Sequence, residues 1–328
     1  MPVRPLVSVK MITYNHARYI EQAIEGVLMQ KTSFAFELVI GEDCSTDGTR
    51  GIVYRYAKAH PGIIRVVASE RNVGARANSL RTKAACRGKY IAWCDGDDYW
   101  HYADKLQTQV SFLEANEDFG LVYSDCDYYD VTTGKRIAAF NRRRGLIPPP
   151  EPTLSDLLFG RCGIVTCTAC ARLEMVRSVQ ESDHDVYDSG RFLMGDTPLW
   201  ADILMRSRVH YFADAWVTHN ILPESAAHSQ SPLRQQRFYA SNKEMRVYLA
   251  RKYKLPRETV VLLEAEQFDS NLFLAFLMAD AAMGRVAWEG LSRPSLRQRL
   301  LYWGSQSGSL NRVLKAAWRL KRRARGQM

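Results

Sequence analysis

Residues 88–100 read GKYIAWCDGDDYW. Tyr90 to Trp93 is an apolar run of strand type, bounded by Gly88 before it and an acidic cluster after it, so a strand ending in a polar turn is expected. The turn packs Asp95, Asp97 and Asp98 around Gly96. Carboxylates this close disfavour one another's ionisation. A divalent cation would relieve that repulsion, and oxygen donors of this kind suit Mg2+ or Mn2+. The plain alternative is an acidic turn capping the helix that follows.

Working outward, PLVSVKMI (5–12) is a β-branched, proline-preceded strand, and Ile20, Ala23, Ile24, Val27 and Leu28 recur at helical spacing. FELVIG (36–41) and GIIRVVAS (62–69) read as strands. STDGTRGIVYRYAKAH (45–60) reads as a helix capped at Ser45/Thr46, and GARANSLRTKAACRG (74–88) as a helix stopped at Gly88. This β-α-β-α-β-α-β alternation predicts an α/β fold, a parallel sheet with helices on both faces. Ligands of such sheets bind beyond the carboxyl ends of the strands. Three polar clusters fall there: Thr13-Tyr14-Asn15, Glu42-Asp43 and Asp95 to Asp98. Further on, FGLVYSDCDYYD (119–130) and VHYFADAWVTHNI (209–221) are strand candidates, and GDTPLWADILMR (195–206) is a helix. RRRGLIPPP (142–150) is a basic loop and stiff linker, with helices expected over 154–159 and 173–179. After about residue 235 the chain reads as mostly helical.

The 328 residues carry a net charge of +10. Residues 285–328 hold eleven basic side chains against Glu289 alone, so all of that charge lies in the tail. A neutral body with a basic appendage is not the even basic face of a nucleic-acid-binding fold. In SLNRVLKAAWRLKRRARG (309–326), Leu310, Val313, Leu314 and Ala317 are expected on one face, with Trp318 at its edge. A basic amphipathic helix of this kind suits an anionic membrane surface. Lys10 interrupts the N-terminal apolar run, and Asp280 the later one, so neither a signal peptide nor a membrane span is expected. The seven cysteines, an odd number, fit reduced thiols, and Cys162, Cys167 and Cys170 are expected in a buried strand.

VSVKMITYN, ELVIGEDCSTDGT, RNVGARAN and GKYIAWCDGDDYW stand in the order and spacing of family 2 glycosyltransferases, which the chain resembles over about residues 5–230. The resemblance implies the GT-A fold, a Rossmann-like sheet with helices on both faces. It implies a glycosyltransferase domain over 1–235, with a nucleotide-sugar half (1–130) and an acceptor half (131–235), and a helical extension over 236–328. The implied reaction is metal-dependent, inverting transfer from a nucleotide diphosphate sugar to a glycan or lipid-linked acceptor in bacterial surface polysaccharide synthesis. Mn2+ or Mg2+ would sit at the D-x-D acids Asp95 and Asp97. Thr13, Tyr14, Asn15, Asn72, Gly74, Arg76 and Asp95 match donor-side positions, and Asp43 the acid that contacts the base. Glu42 stands where an aspartate is more usual. Asp196 matches the general base, with Gly195 where another acid often precedes it. Asp98 and Trp200 are expected on the acceptor side, and His228 at the metal or phosphate. The implied location is the cytoplasm, at the inner face of the membrane; a homodimer is left open. Two rival readings stand beside this one. A sugar-phosphate nucleotidyltransferase would carry a Gly-rich basic loop after the first strand, which TYNHARY lacks. A non-catalytic membrane-associated protein would leave the strand-end acids idle.

Overall fold

The computed structural model describes residues 4–149, 152–187, 189–223 and 231–324. The chain divides into two units, Met1–Tyr187 with Gly195–Ile221, and Asp188–Met194 with Leu222–Met328.

In the first unit the elements run β1 (Val7–Thr13), α1 (Ile20–Leu28), β2 (Phe36–Glu42), α2 (Thr49–Ala59), β3 (Ile64–Ala68), α3 (Ala75–Ala84), β4 (Tyr90–Trp93) and β5 (Tyr99–Trp100). They continue as α4 (Lys105–Ala115), β6 (Phe119–Asp130), β7 (Arg136–Ile137), α5 (Phe140–Arg143), α6 (Leu154–Leu158), β8 (Cys170–Arg172), α7 (Leu173–Glu181), α8 (His184–Tyr187), α9 (Asp196–Leu204) and β9 (Arg208–Ile221). Among the described residues they form one sheet in the order β3-β2-β1-β4-β8-β6-β9-β5, with β7 on β6. The first four strands are parallel, as the alternation predicts. Beyond them the sheet is mixed: β8 lies antiparallel between β4 and β6, and β9 runs parallel to β6.

Burial explains the parallel half. Val7, Val9 and Met11 of β1 and Leu38 and Ile40 of β2 are fully buried, as is usual for strands covered on both faces. Ile20, Ala23, Ile24 and Val27 turn one stripe of α1 onto that core.

Several local expectations differ from the structure; helix α3, for one, ends at Ala84 with Ala85 as its cap and not at Gly88. Helix α2 begins at Thr49, after Gly48, and not at Ser45/Thr46. Asp47 is the reason: its carboxylate accepts from Thr49 N–H (3.0 Å), Thr49 Oγ1 (2.6 Å) and Ala17 N–H (2.9 Å), which keeps the preceding turn out of the helix. The cysteine segment is a 3-10 turn over Thr166–Thr168 followed by the short β8, not one strand, although all three cysteines are buried and free.

The second unit is helical: α10 (Pro232–Lys252), α11 (Arg257–Met278), α12 (Ala281–Glu289), α13 (Leu296–Gln306) and α14 (Gly308–Ala324). Leu272, Phe276, Ala287 and Leu301 form its core, with Leu314 packed against them. The inward line of α14 is Asn311, Leu314, Lys315 and Trp318. Asn311 Nδ2 donates to Phe276 O (2.7 Å), Lys315 Nζ donates to Leu277 O (2.8 Å), and Trp318 meets Phe273 edge-on. The expected apolar face is therefore split: Leu314 points in, whereas Val313 is 65% exposed and Leu320 65% exposed. Among the described residues no helix is long and apolar enough to cross a membrane.

A buried carboxylate joins the strands at the amino end of the sheet. Glu37 accepts from Ser8 Oγ (2.7 Å), Arg87 N–H (2.9 Å) and the Arg87 guanidinium (2.8 Å), with Arg65 at 3.3 Å. Burial alone would raise its pKa, but these donors prevail and hold it below the ordinary 4.5. A depressed acid adds stability above its unfolded pKa and loses it as pH falls through the folded value. Glu37→Gln is expected to cost about 2 kcal/mol at neutral pH, the charge-assisted part of the network. In thermal unfolding the gap to wild type should close as pH drops below 4.5. A gap that stays constant from neutral to strongly acid pH contradicts this.

Candidate active site

The three polar strand ends are bonded to one another. Asp43 N–H donates to Thr13 O (3.1 Å), which ties the end of β2 to β1. Gly96 N–H donates to Ile12 O (2.9 Å) and Ile12 N–H reaches Asp95 Oδ1 (3.4 Å), which ties the acidic turn to β1 from the other side. Asn15 N–H donates to Ser45 Oγ (3.1 Å) and Asn15 Oδ1 accepts from Thr46 N–H (2.9 Å). Asn15 holds φ 56°, a left-handed conformation that asparagine tolerates better than most residues.

Around this seam the donor-side candidates divide. Tyr14 is 41% exposed, so its ring is available for stacking. Thr13 is buried, and its Oγ1 has no hydrogen-bond partner among the described residues. Asp43 is buried, with its two oxygens accepting from Val73 N–H and Gly74 N–H at 2.9 Å each. Asn72 Oδ1 also accepts from Gly74 N–H (2.9 Å). These bonds shape the loop before α3, and in this structure Asp43 faces that loop. The Arg76 guanidinium is bonded to the carbonyls of Tyr187 and Val186 on α8. Glu42 is buried, accepting from Ser45 N–H (2.7 Å) and pairing with Arg50.

The acid turn is electrostatically loaded. Burial, followed by the charges of Asp98 and Asp95, raises Asp97 above the usual carboxylate range. Asp95 is also raised, by burial first, with Lys10 opposing and Asp98 and Asp196 adding. Asp196 therefore acts on the turn although it lies 101 residues further along the chain. Its position is set by Thr166, whose Oγ1 donates to Asp196 Oδ2 (2.7 Å), and by Thr197 N–H on Oδ1 (2.7 Å). Asp196 is half-buried at the first position of α9.

Both acceptor-side candidates are buried in this structure. Trp200 is 1% exposed and packs edge-on against Trp93 at 5.2 Å, because Leu199, Trp200, Ala201 and Ile203 all face the core. It offers no wall to a sugar. Asp98 is buried too, with its carboxylate against His219 Nδ1 (2.9 Å) and Asn220 N–H (2.9 Å). His228 lies outside the described residues.

Sequence reasoning missed Thr166, Lys10, His219 and Asn220. Thr166 and Lys10 sit in apolar runs, and His219 and Asn220 in a strand more than a hundred residues from the turn they touch. No local signal marks them.

The residues present fit a hard divalent cation. Asp95 and Asp97 are oxygen donors whose ionisation is held back by burial and mutual repulsion, and bound positive charge would reverse both effects.

Comparison with known proteins gives a consistent result. The profile of glycosyl transferase family 2 matches residues 8–179. An uncharacterised protein of Mycobacterium tuberculosis is 38% identical over 112 residues, 34% of this chain and 32% of that one. The putative teichuronic acid biosynthesis glycosyltransferase TuaG of Bacillus subtilis is 41% identical over 110 residues, 34% of this chain and 42% of its own. The matched stretch thus spans 32% and 42% of those two relatives. Among solved structures, the mannosyltransferase PcManGT of Pyrobaculum calidifontis in complex with GDP-Man and Mn2+ is 18% identical. It covers 94% of this chain and 86% of its own with a TM-score of 0.57, a likeness of fold.

Gly96 fixes how closely the acidic turn approaches β1. A Cβ there would lie 2.7 Å from Thr13 Oγ1, 2.8 Å from Thr13 Cβ and 2.9 Å from Ile20 Cδ1. Gly96→Ala is expected to cost about 1–3 kcal/mol through this overpacking. Urea unfolding measures it, and an alanine variant as stable as wild type contradicts the close approach.

Proposed function

This chain belongs to glycosyl transferase family 2, and from that membership we propose that it moves a sugar from a nucleotide diphosphate donor to an acceptor hydroxyl, with inversion at the anomeric carbon. The observation that carries the reading is the bonding of the acidic turn and of the Asn15 seam to the same end of β1, with Asp196, at the start of α9, among the charges that raise Asp95 after burial and Asp98. Two roles need two acid sites facing one space: one for the diphosphate and one for the incoming hydroxyl.

The donor's base stacks on the exposed ring of Tyr14. The loop held by Asp43, Asn72 and Gly74 borders it, and Asn15 closes the seam beneath. Asp95 and Asp97 would hold Mn2+ or Mg2+, which when bound would stabilise the charge that grows on the leaving diphosphate. Asp196 takes the proton of the acceptor hydroxyl. Thr166 Oγ1 occupies one oxygen of Asp196, which fixes the carboxylate plane for that transfer. The acceptor is a glycan or a lipid-linked glycan in bacterial surface polysaccharide synthesis. This is supported by the likeness to TuaG, a putative teichuronic acid biosynthesis glycosyltransferase, and by the basic tail.

Asp97→Asn is expected to fold normally, to lose activity and to lose metal-dependent nucleotide binding. Asp196→Asn should keep donor binding while transfer falls about a hundredfold or more, the cost of a lost general base. Release of nucleoside diphosphate from a nucleotide sugar, with and without EDTA, measures both. Release of pyrophosphate from a sugar phosphate and a nucleoside triphosphate would favour the nucleotidyltransferase reading. Full turnover in excess EDTA would remove the cation from the scheme, and a product that keeps the donor's configuration would remove inversion.

The outer side of α14 supports a peripheral site on the inner face of the membrane. Val313 and Leu320 are exposed there, and Arg312 and Arg319 are exposed on the same helix. Basic side chains near an anionic leaflet contribute about 1 kcal/mol each, screened by salt. Co-sedimentation with vesicles of acidic lipid should weaken as salt rises, and the doubly reversed Arg312→Glu, Arg319→Glu protein should bind about tenfold less or worse. Equal sedimentation of the two proteins rejects the tail as an anchor. Point changes are the right test, because deleting α14 would strip Leu314 and Trp318 from the core of the second unit.

A further inference from the structure

Asp98 is the third acid of the turn, and the proposed chemistry leaves it unused. Its carboxylate is 5% exposed. His219 Nδ1 lies 2.9 Å from one of its oxygens and 3.1 Å from the other. An ionised carboxylate only accepts, so the imidazole N–H is the donor. Asn220 adds two bonds: its N–H donates to Asp98 Oδ1 (2.9 Å), and its side-chain amide donates to Asp97 O (2.5 Å). The strands continue the grip. β5 pairs antiparallel with β9, Tyr99 opposite Thr218 and Trp100 opposite Val217. The acidic turn is therefore held on one side by β1, through Gly96 and Ile12, and on the other by the last residues of β9.

We propose that His219 and Asn220 are positioning residues for the D-G-D-D turn: by fixing Asp98 and the Asp97 carbonyl, they leave only Asp95 and Asp97 to face the cation. The inference rests on the cation-dependent reading above. Three carboxylates on four positions would otherwise compete for one cation and repel one another. Tying Asp98 to a donor on another strand removes it from that competition. Groups that orient metal ligands from behind typically change metal affinity 10- to 100-fold when lost.

One other assignment uses the same atoms. Single ligand atoms of Asp98, Cys167 and His219 all lie within 4.8 Å of one another, a set that could itself hold a metal ion. The bonds from His219 and Asn220 to Asp98 favour the clamp, because they satisfy the carboxylate without an ion.

The test titrates Mn2+ into the full chain, followed by the loss of the free-ion paramagnetic resonance signal, with no nucleotide or substrate. His219→Leu, which offers no donor, should bind Mn2+ 10- to 100-fold more weakly than wild type. His219→Asn, whose amide can replace the Nδ1 donor, should restore affinity to within about threefold. A purely structural role would lower the melting temperature of His219→Leu without this loss and rescue. Wild-type affinity in folded His219→Leu, or loss that asparagine does not restore, overturns the clamp. If His219→Leu does not fold, Asn220→Ala decides, since it removes only the bond to the Asp97 carbonyl: unchanged Mn2+ affinity overturns the clamp, and weakened affinity supports it. Zinc bound one per chain in the purified wild type, and lost in Cys167→Ser, overturns it in favour of a metal at Asp98, Cys167 and His219. If wild type binds no Mn2+ at all, the cation-dependent reading fails and the clamp falls with it. Wild-type binding with unaffected variants sinks the clamp alone.

Discussion

The architecture of the site depends on one close approach: the peptide of Gly96 lying against the end of β1, its N–H on the carbonyl of Ile12. No side chain larger than hydrogen fits there, because Thr13 and Ile20 already fill the space a Cβ would take. The parallel pairing of β1 with β2 and β4 puts both strand ends beside this point. The seam from Asn15 to Ser45 and Thr46 and the turn from Asp95 to Asp98 then flank the same strand end. Moving the turn outward would separate the acids from the seam at Asn15, Ser45 and Thr46, so packing at one glycine controls the geometry of these strand ends.

Electrostatics sets the second constraint. Asp95 and Asp97 are half-buried and Asp98 is buried, so the turn concentrates negative charge where water screens it poorly. The protein answers with cationic or donating groups from distant elements. Lys10, buried on β1, draws Asp95 down, while its own pKa is lowered first by burial and restored in part by Asp95. His219 from β9 meets Asp98. At Asp97, burial and the other two acids outweigh the opposing charge of His219. That residual imbalance is what a cation at the proposed site would offset. It also explains why the turn is bonded on two sides: repulsive groups keep a defined geometry only when the backbone carrying them is held.

The C-terminal helices show how an apolar stripe read from spacing can differ from the face that packs inward. Leu310, Val313, Leu314 and Ala317 look like one apolar stripe, yet the protein interior takes Asn311, Leu314, Lys315 and Trp318. Asparagine and lysine are accepted inside because they donate to main-chain carbonyls of α11 and α13, Asn311 to Phe276 and Gly304, and Lys315 to Leu277. The hydrophobic residues left outside, Val313 and Leu320, are then free for a second surface.

The sequence by itself determined the parallel half of the sheet. Apolar β-branched runs alternate there with helical spacing, and both are local periodicities. It also determined that polar groups end β1, β2 and β4, and that a glycine sits among the acids of the last. The tertiary structure decided everything that depends on which distant segment arrives. β8 enters antiparallel beside β4 because the chain returns through the 3-10 turn at Thr166–Thr168, and the same return delivers Thr166 to Asp196. Trp200 became core because its helix turns that face inward, and Arg76 was drawn to carbonyls of α8. Asp98 looked like its neighbours in the sequence, but a histidine 121 residues away makes it a structural acceptor. Side-chain chemistry is written locally, whereas the partner that occupies or frees a carboxylate is set by topology, and no spacing along the chain encodes that distance.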